Sequence, residues 1–163
     1  MSPIFPRPYR KLEKKKMAVK AVIDTNIWVS ALLNPHGFPA KILKGFKRNL
    51  FQSVVSEPML EELVEVFNRP RIKDKYEITE NEIKELIILI EEKSEHIFPS
   101  GTLELCRDKD DNVILETAIS GRVEYLVTRD DDLKFDLNVS DFLERNSITV
   151  ISVSKFLSIL AIK

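Results

Sequence analysis

Residues 19–26 read VKAVIDTN, five mainly apolar residues followed at once by an aspartate, a threonine and an asparagine. The apolar part is typical of a buried strand, and its end places the carboxylate of Asp24 at the carboxyl edge of a sheet. In open α/β sheets, that edge is where ligands bind. Asp24 is therefore the first candidate for a functional residue.

Segments of helical and strand character alternate along the rest of the chain. Strands are predicted at residues 19–23, 51–55, 96–98, 125–128 and 148–151. Helices are predicted at residues 26–33, 40–49, 57–68, from residue 79 for about four turns, from residue 110 or 111 to 121, and at 154–162. This alternation predicts an α/β fold, a three-layer α/β/α sandwich with a mainly parallel central sheet of four or five strands.

Local signals mark the ends of several predicted helices. Ser56 suits the N-cap of the helix that follows it. Thr79 and Glu82 have the spacing of a capping box. Gly121 is the candidate C-cap of the helix that it closes.

Three more acidic clusters follow Asp24, each beside its own apolar segment. They are Glu61-Glu62, Asp108 to Asp111, and Asp130 to Asp132. Carboxylates gathered from distant parts of a chain repel one another unless a cation lies between them, and hard oxygen ligands suit Mg²⁺ or Mn²⁺. The clusters therefore predict a divalent-metal enzyme. Metal-assisted phosphodiester hydrolysis is the chemistry that uses such a set.

Each cluster also has a purely structural explanation. Asp24 could cap the helix that follows it, and the glutamates near Glu62 could form a solvated helix face. Residues 108–111 could be a turn with an N-cap, and residues 130–132 an exposed acidic turn. The placement of all four clusters beside strand ends or helix starts favours a common function.

The charge of the chain is unevenly distributed. Residues 1–17 hold six lysines and arginines against one glutamate, whereas the whole chain has a net charge of −1. We expect residues 1–17 to form a basic, disordered extension and residues 18–163 to form one domain. A nucleic-acid-binding arm is the alternative function for the extension.

Cysteine and histidine are scarce. Cys106 is the one cysteine, so a disulfide scaffold is excluded and a cytoplasmic location is expected. With two histidines in the chain, a thiol nucleophile activated by histidine is disfavoured. No apolar run approaches the roughly 18 residues that predict a membrane span.

The quoted motifs resemble those of PIN-domain nucleases. The resemblance rests on DTN at residues 24–26, SEPMLEEL at residues 56–63 with NRP at residues 68–70, CRDKDDN at residues 106–112, and LVTRDDDL at residues 126–133. It spans residues 19–158, with all four acidic motifs in order. The chain looks most similar to the VapC-like toxins of type II toxin–antitoxin systems, which implies a PIN-like fold and Mg²⁺- or Mn²⁺-dependent endoribonuclease activity.

The resemblance implies roles for residues of the first two motifs. Asp24 matches the first catalytic, metal-binding acid of the family. Glu62 matches the second, because it directly precedes an aliphatic residue, and Glu61 is its alternative in register. Asn26 and Thr128 resemble polar residues that orient the acids and a metal-bound water.

The third and fourth acids are implied in the same way. Asp111 matches the third acid at the start of a helix, with Asp108 as a supporting neighbour. The fourth acid is Asp130 or Asp132, because family members place it at either position. One metal ion or two would fit this set.

Partners also follow from the resemblance. It implies an RNA substrate, a homodimer and a cognate antitoxin that inserts an arginine or lysine among the carboxylates. The alternatives are a PIN-like nuclease of RNA processing and a non-catalytic module that binds a metal or a basic partner.

An acidic centre must still bind a polyanion, so flanking cations are needed. Most of the candidates are expected to be solvated surface. They are Lys41, Lys44, Lys47, Arg48, Arg69, Arg71 and Arg129.

Overall fold

The computed structural model describes residues 19–129 and 136–162, which fold around a five-stranded sheet. The strands are β1 (Lys20–Ile23), β2 (Gln52–Ser56), β3 (Glu95–Ile97), β4 (Tyr125–Val127) and β5 (Thr149–Ile151). All neighbouring strands pair in parallel, in the order β3-β2-β1-β4-β5. The predicted extension at residues 1–17 and the acidic residues 130–132 lie outside the described residues.

Helices connect these strands. They are α1 (Thr25–Leu33), α2 (Phe38–Lys47), α3 (Glu57–Phe67), the short α4 (Pro70–Lys73), α5 (Glu80–Lys93), α6 (Lys109–Ser120), α7 (Leu137–Arg145) and α8 (Val153–Ile159). The alternation of strands and helices, together with the parallel pairing, confirms the predicted α/β fold.

The hydrophobic core is divided between the two faces of the sheet. Ala21 and Ile23 of β1 belong to one cluster, and Val22 between them belongs to the other. This is the alternation expected of a strand that is buried on both faces. Helices α1, α2, α5 and α8 contribute to the first cluster, and α6 and α7 to the second. The protein is therefore built of three layers.

Aromatic side chains fill much of the first cluster. The ring of Trp28 packs edge-on against Phe46, with 5.1 Å between the ring centroids, and Phe51 packs in the same way against Phe156 at 5.1 Å. Trp28 is 2% exposed, and its indole N–H has no hydrogen-bond partner among the described residues. These contacts join α1, α2 and α8 across one face of the sheet.

Helix α7 was not predicted from the sequence. Its N-terminus is capped by Asp136, whose carboxylate accepts hydrogen bonds from the backbone N–H groups of Asn138 and Val139. Val139 and Leu143 are buried on one side of the helix. The sequence carried two usable signals for this helix, the capping aspartate and the helical spacing of Val139, Phe142 and Leu143.

The predicted helix ends are only partly correct. The capping box is confirmed, because the N–H of Glu82 donates to Thr79 Oγ1 at 3.1 Å and the N–H of Thr79 donates to Glu82 Oε1 at 3.0 Å. Ser56 occupies the N-cap position of α3, but its side chain makes no capping bond. Its hydroxyl is instead hydrogen-bonded to that of Thr117 at 2.9 Å, which joins β2 to α6.

Helix α2 begins at Phe38, two residues earlier than predicted, with Pro39 in its first turn. A proline is compatible with this position because the N–H groups of the first turn have no partner within the helix.

Gly121 is the C-cap of α6, as predicted, but for a different physical reason. Its φ of −79° is open to any residue, and the left-handed residue is the next one, Arg122, with φ of 53°. A Cβ atom on Gly121 would lie 2.5 Å from Cγ1 of Val54 in β2 and 3.0 Å from the carbonyl oxygen of Thr117. The glycine therefore allows α6 to approach the sheet closely.

We expect Gly121→Ala to destabilise the protein by about 1–3 kcal/mol, because the new methyl group overpacks a stiff, fully buried valine. The measurement is the free energy of unfolding in urea for Gly121→Ala, Val54→Ala and the double variant. Val54→Ala removes the clashing methyl group, so the double variant should be less destabilised than the sum of the single variants. Strictly additive effects would contradict this steric explanation.

Candidate active site

Asp24 directly follows β1 and is held in place by β4 and the residue after it. Its backbone N–H donates to the carbonyl oxygen of Val127 at 3.0 Å. Its side chain accepts a hydrogen bond from the hydroxyl of Thr128 at 2.7 Å. The Asp24 residue is 5% exposed and occupies the N-cap position of α1, yet its carboxylate makes no capping bond. Helix capping therefore does not explain this aspartate.

The strand order places Asp24 at the topological switch point of the sheet. From β1 the chain adds β2 and β3 on one side, and then returns to add β4 and β5 on the other side of β1. The carboxyl ends of β1 and β4 thus form the topological switch point, where open α/β sheets bind their ligands. Asp24 and Thr128 are the residues that directly follow these two strands.

Glu62 lies near Asp24 and is half-buried on α3. Burial raises the pKa of Glu62, and so do the negative charges of Asp110 and Asp24. A hydrogen bond from the Thr25 side chain opposes this effect, whereas one shared with the Asp110 side chain raises the pKa further. Asp24, Glu62 and Asp110 therefore form one group of interacting carboxylates, which we call the acidic triad.

The triad includes one residue that the sequence did not single out. Asp108 is the N-cap of α6, and its carboxylate accepts a hydrogen bond from the N–H of Asp110 at 2.9 Å. Asp110 follows in the first turn and interacts electrostatically with Glu62. Asp111, the predicted third acid, is half-buried in the same turn. Its part in catalysis remains a prediction. The sequence offered Asp110 only as a member of the acidic cluster and as one of two candidate starts of the helix, not as a site residue.

The other predicted residues occupy different environments. Thr128 is fully buried, Asn26 is exposed at the start of α1, and Glu61 is exposed on α3. Burial, with the charges of Asp110 and Asp24, acts on Glu62, and the choice between Glu62 and Glu61 as the second acid stays a prediction. Asp130 and Asp132 lie outside the described residues, so their predicted roles stay predictions.

The segment before the third acidic cluster is attached to α6 by two side chains. The amide oxygen of Asn112 accepts from the N–H groups of Leu105 and Cys106 at 3.0 and 2.7 Å, and its amide nitrogen donates to the carbonyl oxygen of Cys106 at 3.0 Å. Asn112 is buried. This amide thus fixes the backbone that leads into Asp108.

Glu116 forms the second attachment, one turn further along α6. Its carboxylate accepts hydrogen bonds from the backbone N–H groups of Ser100, Gly101 and Leu103 at 2.8, 3.3 and 3.1 Å. Burial alone would raise the pKa of Glu116, but these bonds and that of the Ser100 hydroxyl together lower it. The segment from Ser100 to Cys106 is therefore anchored along one helix.

The described residues carry oxygen donors but no complete metal cage. Within residues 19–129 and 136–162, no three acidic, histidine or cysteine side chains form a metal-binding group. Within the same residues, no helix has the length and apolar character needed to cross a membrane.

We expect Glu62→Gln to stabilise the metal-free protein at neutral pH, raising Tm in EDTA by a few degrees. The pKa of Glu62 is raised in the folded state, so its favourable contribution is present below the unfolded pKa of about 4.3 and is lost as pH rises through the folded value. The Tm difference between variant and parent should therefore disappear near about pH 4.

Glu61→Gln is the matched control, since Glu61 is exposed on the same helix, and it should leave Tm unchanged at both pH values. If Glu62→Gln lowered Tm at neutral pH, the hydrogen bond from Thr25 would outweigh burial and repulsion, contrary to our expectation.

Asn112→Ala should destabilise the protein by about 1–3 kcal/mol, because partly buried backbone groups of Leu105 and Cys106 lose their partner. Urea denaturation measures the loss, and amide hydrogen exchange should show reduced protection at these two residues. Asn138→Ala, at an exposed position on α7, should change stability by no more than about 0.5 kcal/mol. Unchanged exchange at Leu105 and Cys106 would argue against the attachment.

Comparison with known proteins agrees with this geometry. A family model described as PIN domain matches residues 20–132, which include the acidic triad. The chain is 33% identical to the uncharacterized protein MJ1680 of Methanocaldococcus jannaschii over 138 residues, which cover 85% of this chain and 86% of that protein. No solved structure matches the chain significantly.

Both matches cover most of the chain. PIN domains are generally nucleases and typically use divalent metal ions. The family match begins at the first residue of β1 and extends beyond β4, so it contains both strands of the switch point. The chain belongs to the PIN domain family.

Proposed function

We propose that this protein is a Mg²⁺- or Mn²⁺-dependent endoribonuclease, the toxin of a cytoplasmic toxin–antitoxin pair. The observation that supports this most strongly is the acidic triad at the switch point of the sheet. Asp24, Glu62 and Asp110 come from three separate parts of the chain, yet the charges of Asp24 and Asp110 both act on Glu62. A structure that only needed to be stable would not bring these charges together.

The triad suits a hard divalent cation in its chemistry. Its donors are all carboxylate oxygens, and the negative charges of Asp110 and Asp24 add to burial in raising the pKa of Glu62. Magnesium in particular is held by one or two carboxylates together with waters and substrate phosphate, so a complete protein cage is not required. Asp24 and Glu62 would hold the ion, with Asp110 or Asp111 from α6 and with Asp130 or Asp132.

The bound ion would activate water at neutral pH and neutralise charge on the scissile phosphate. The residues of this chain have their own parts. Thr128 fixes the orientation of the Asp24 carboxylate through the 2.7 Å hydrogen bond. Thr25 hydrogen-bonds to Glu62 and favours its ionised form, which is the form that can act as a ligand. Asn26, the exposed residue that follows Thr25, would orient a water or the substrate.

The same acidic triad suggests how the activity would be inhibited. A partner antitoxin that inserts an arginine or lysine among the carboxylates would supply the positive charge that the ion otherwise provides. We also propose that the toxin is a homodimer. Both partners follow from the resemblance to VapC-like toxins.

Asp24→Asn should abolish Mg²⁺-dependent cleavage of single-stranded RNA while the protein remains folded. The loss should exceed the roughly 10–100-fold that removal of an outer-shell partner costs. The substitution keeps the size of the side chain and an oxygen that can accept from Thr128, so folding should be preserved. The measurements are RNA cleavage with Mg²⁺, with Mn²⁺ and with EDTA, and circular dichroism for folding.

Two controls make this test specific. Asp141→Asn changes an exposed aspartate on α7 and should cleave RNA as fast as the parent. Glu62→Gln and Glu61→Gln form a matched pair on α3, and only the former should lose activity. Full activity of Asp24→Asn at saturating Mg²⁺ would mean that the carboxylates belong to a binding surface or to the structure.

A further inference from the structure

A cleft of about 410 Å³ lies beside the acidic triad and is bordered by Asp24 itself. Three arginines line it, although they come from different segments: Arg69 precedes α4, Arg71 lies within α4, and Arg129 follows β4. Of the seven cationic candidates that the sequence offers near the site, these three share the cleft with Asp24. These three arginines therefore form one local cationic site, to which the cations of α2 do not belong.

Aliphatic side chains also line the cleft. Val29 and Leu33 belong to α1, Val66 to α3 and Ile72 to α4. The volume is in the range of about 300–1,000 Å³ that is typical of sites for small ligands. Arginines in a cleft of this size match the chemistry of a nucleotide, whose phosphates can meet the guanidinium groups.

The three guanidinium groups differ in how firmly they are held. Arg129 Nη2 donates to Ser30 Oγ at 2.8 Å, which ties this side chain to α1. Arg69 pairs with Glu65 at 2.9 Å, but both side chains are largely exposed, so the pair is weak and can exchange for a phosphate. Arg71 has no hydrogen-bond or ion-pair partner in residues 19–129 and 136–162.

We propose that this cleft binds the phosphates of a single-stranded nucleic acid beside the scissile bond, with Arg71 and Arg129 as its principal contacts. The proposal rests on the nuclease function proposed above. The charges explain why such a site is needed: a polyanion is repelled by the triad, and cations at its border offset that repulsion.

A single strand fits this concave site better than a duplex does. Double-stranded RNA is recognised through its shape, over an extended surface across successive minor grooves. Single strands instead follow a positively charged groove that tracks their phosphate backbone. The cleft has this second character on a small scale.

The test measures binding in EDTA, so that it does not depend on cleavage. The full chain is titrated against a short fluorescein-labelled single-stranded RNA, and fluorescence anisotropy gives Kd at several salt concentrations. Arg71→Ala and Arg129→Ala should each raise Kd about tenfold, because each removes a charge-assisted contact. Each should also reduce the slope of log K against log salt by about 0.7, the value for one phosphate contact of a single strand.

Arg145→Ala is the matched control, because Arg145 is an exposed arginine on α7 that does not line the cleft, and its Kd should match the parent's. Single-stranded DNA of the same sequence should show the same dependence on Arg71, since phosphates are common to both. Circular dichroism should show that all variants are folded.

Three results would overturn the proposal. They are an unchanged Kd in both cleft variants, a loss that is equally large for duplex RNA, or Arg71-dependent binding of a glutamate-rich peptide with RNA binding unaffected. The last result would identify the cleft as a site for an acidic protein partner.

Cleavage by the parent protein separates this proposal from the function on which it rests. If the parent cleaves RNA and the cleft variants bind and cleave as the parent does, the subsite is wrong and the nuclease function stands. If the parent does not cleave but the arginines govern binding, the nuclease function is wrong and the binding cleft stands. If both are right, Arg71→Ala should raise KM for RNA in Mg²⁺ and leave kcat nearly unchanged.

Discussion

The parallel pairing of β1 with β4 is the constraint on which the candidate active site depends. The register pairs Ile23 with Val127, so the next residues of the two strands, Asp24 and Thr128, come to lie side by side at the sheet edge. A shift by one residue would turn every side chain of the strand to the opposite face and would break the contact between these two. The same pairing defines the switch point, and α3 and α6 then bring their carboxylates toward Asp24. The sheet thus determines the position of the site before any ligand is bound.

The site also has an energetic cost, which the fold partly offsets. Asp24 stands at the N-terminus of α1 and Asp110 in the first turn of α6, where the helix dipole favours negative charge. Glu62 lies within α3, beyond the first turn of that helix, and burial together with the charges of Asp110 and Asp24 raises its pKa. The ionised form of this glutamate therefore has an electrostatic cost in the metal-free protein. A ligand role for Glu62, as proposed above, would oppose stability at this residue.

Much of this could be predicted from the sequence, and the reasons for the gaps are physical. Strand order cannot be read from periodicity, but a run such as residues 19–23 indicates a buried strand and hence where Asp24 would lie. The third acidic cluster predicted that site residues lie within residues 108–111. The choice among them depends on where α6 begins, and helix starts are uncertain by one or two residues. Asp108 caps the helix, so Asp110 and Asp111 share its first turn.

The arginine cleft joins three segments that are distant in sequence, so composition alone could not separate Arg71 from the cations of α2. Local sequence predicted a capping role for the Ser56 hydroxyl. Its actual partner, Thr117, is distant in sequence, and local patterns do not reveal such a contact.

Trp28 has a consequence for how this protein can be observed. It is the one tryptophan of the chain, and it lies in α1, the helix that Asp24 begins. Its indole ring is buried against Phe46. Trp28 also lines a small internal void together with Thr25, the residue that hydrogen-bonds to Glu62. Its emission therefore comes from a single, nonpolar environment only a few residues from the carboxylates. Ultraviolet fluorescence of the chain, without any attached dye, would report on the packing beneath the candidate active site. A shift of this emission to longer wavelength would mark the moment at which water reaches that packing.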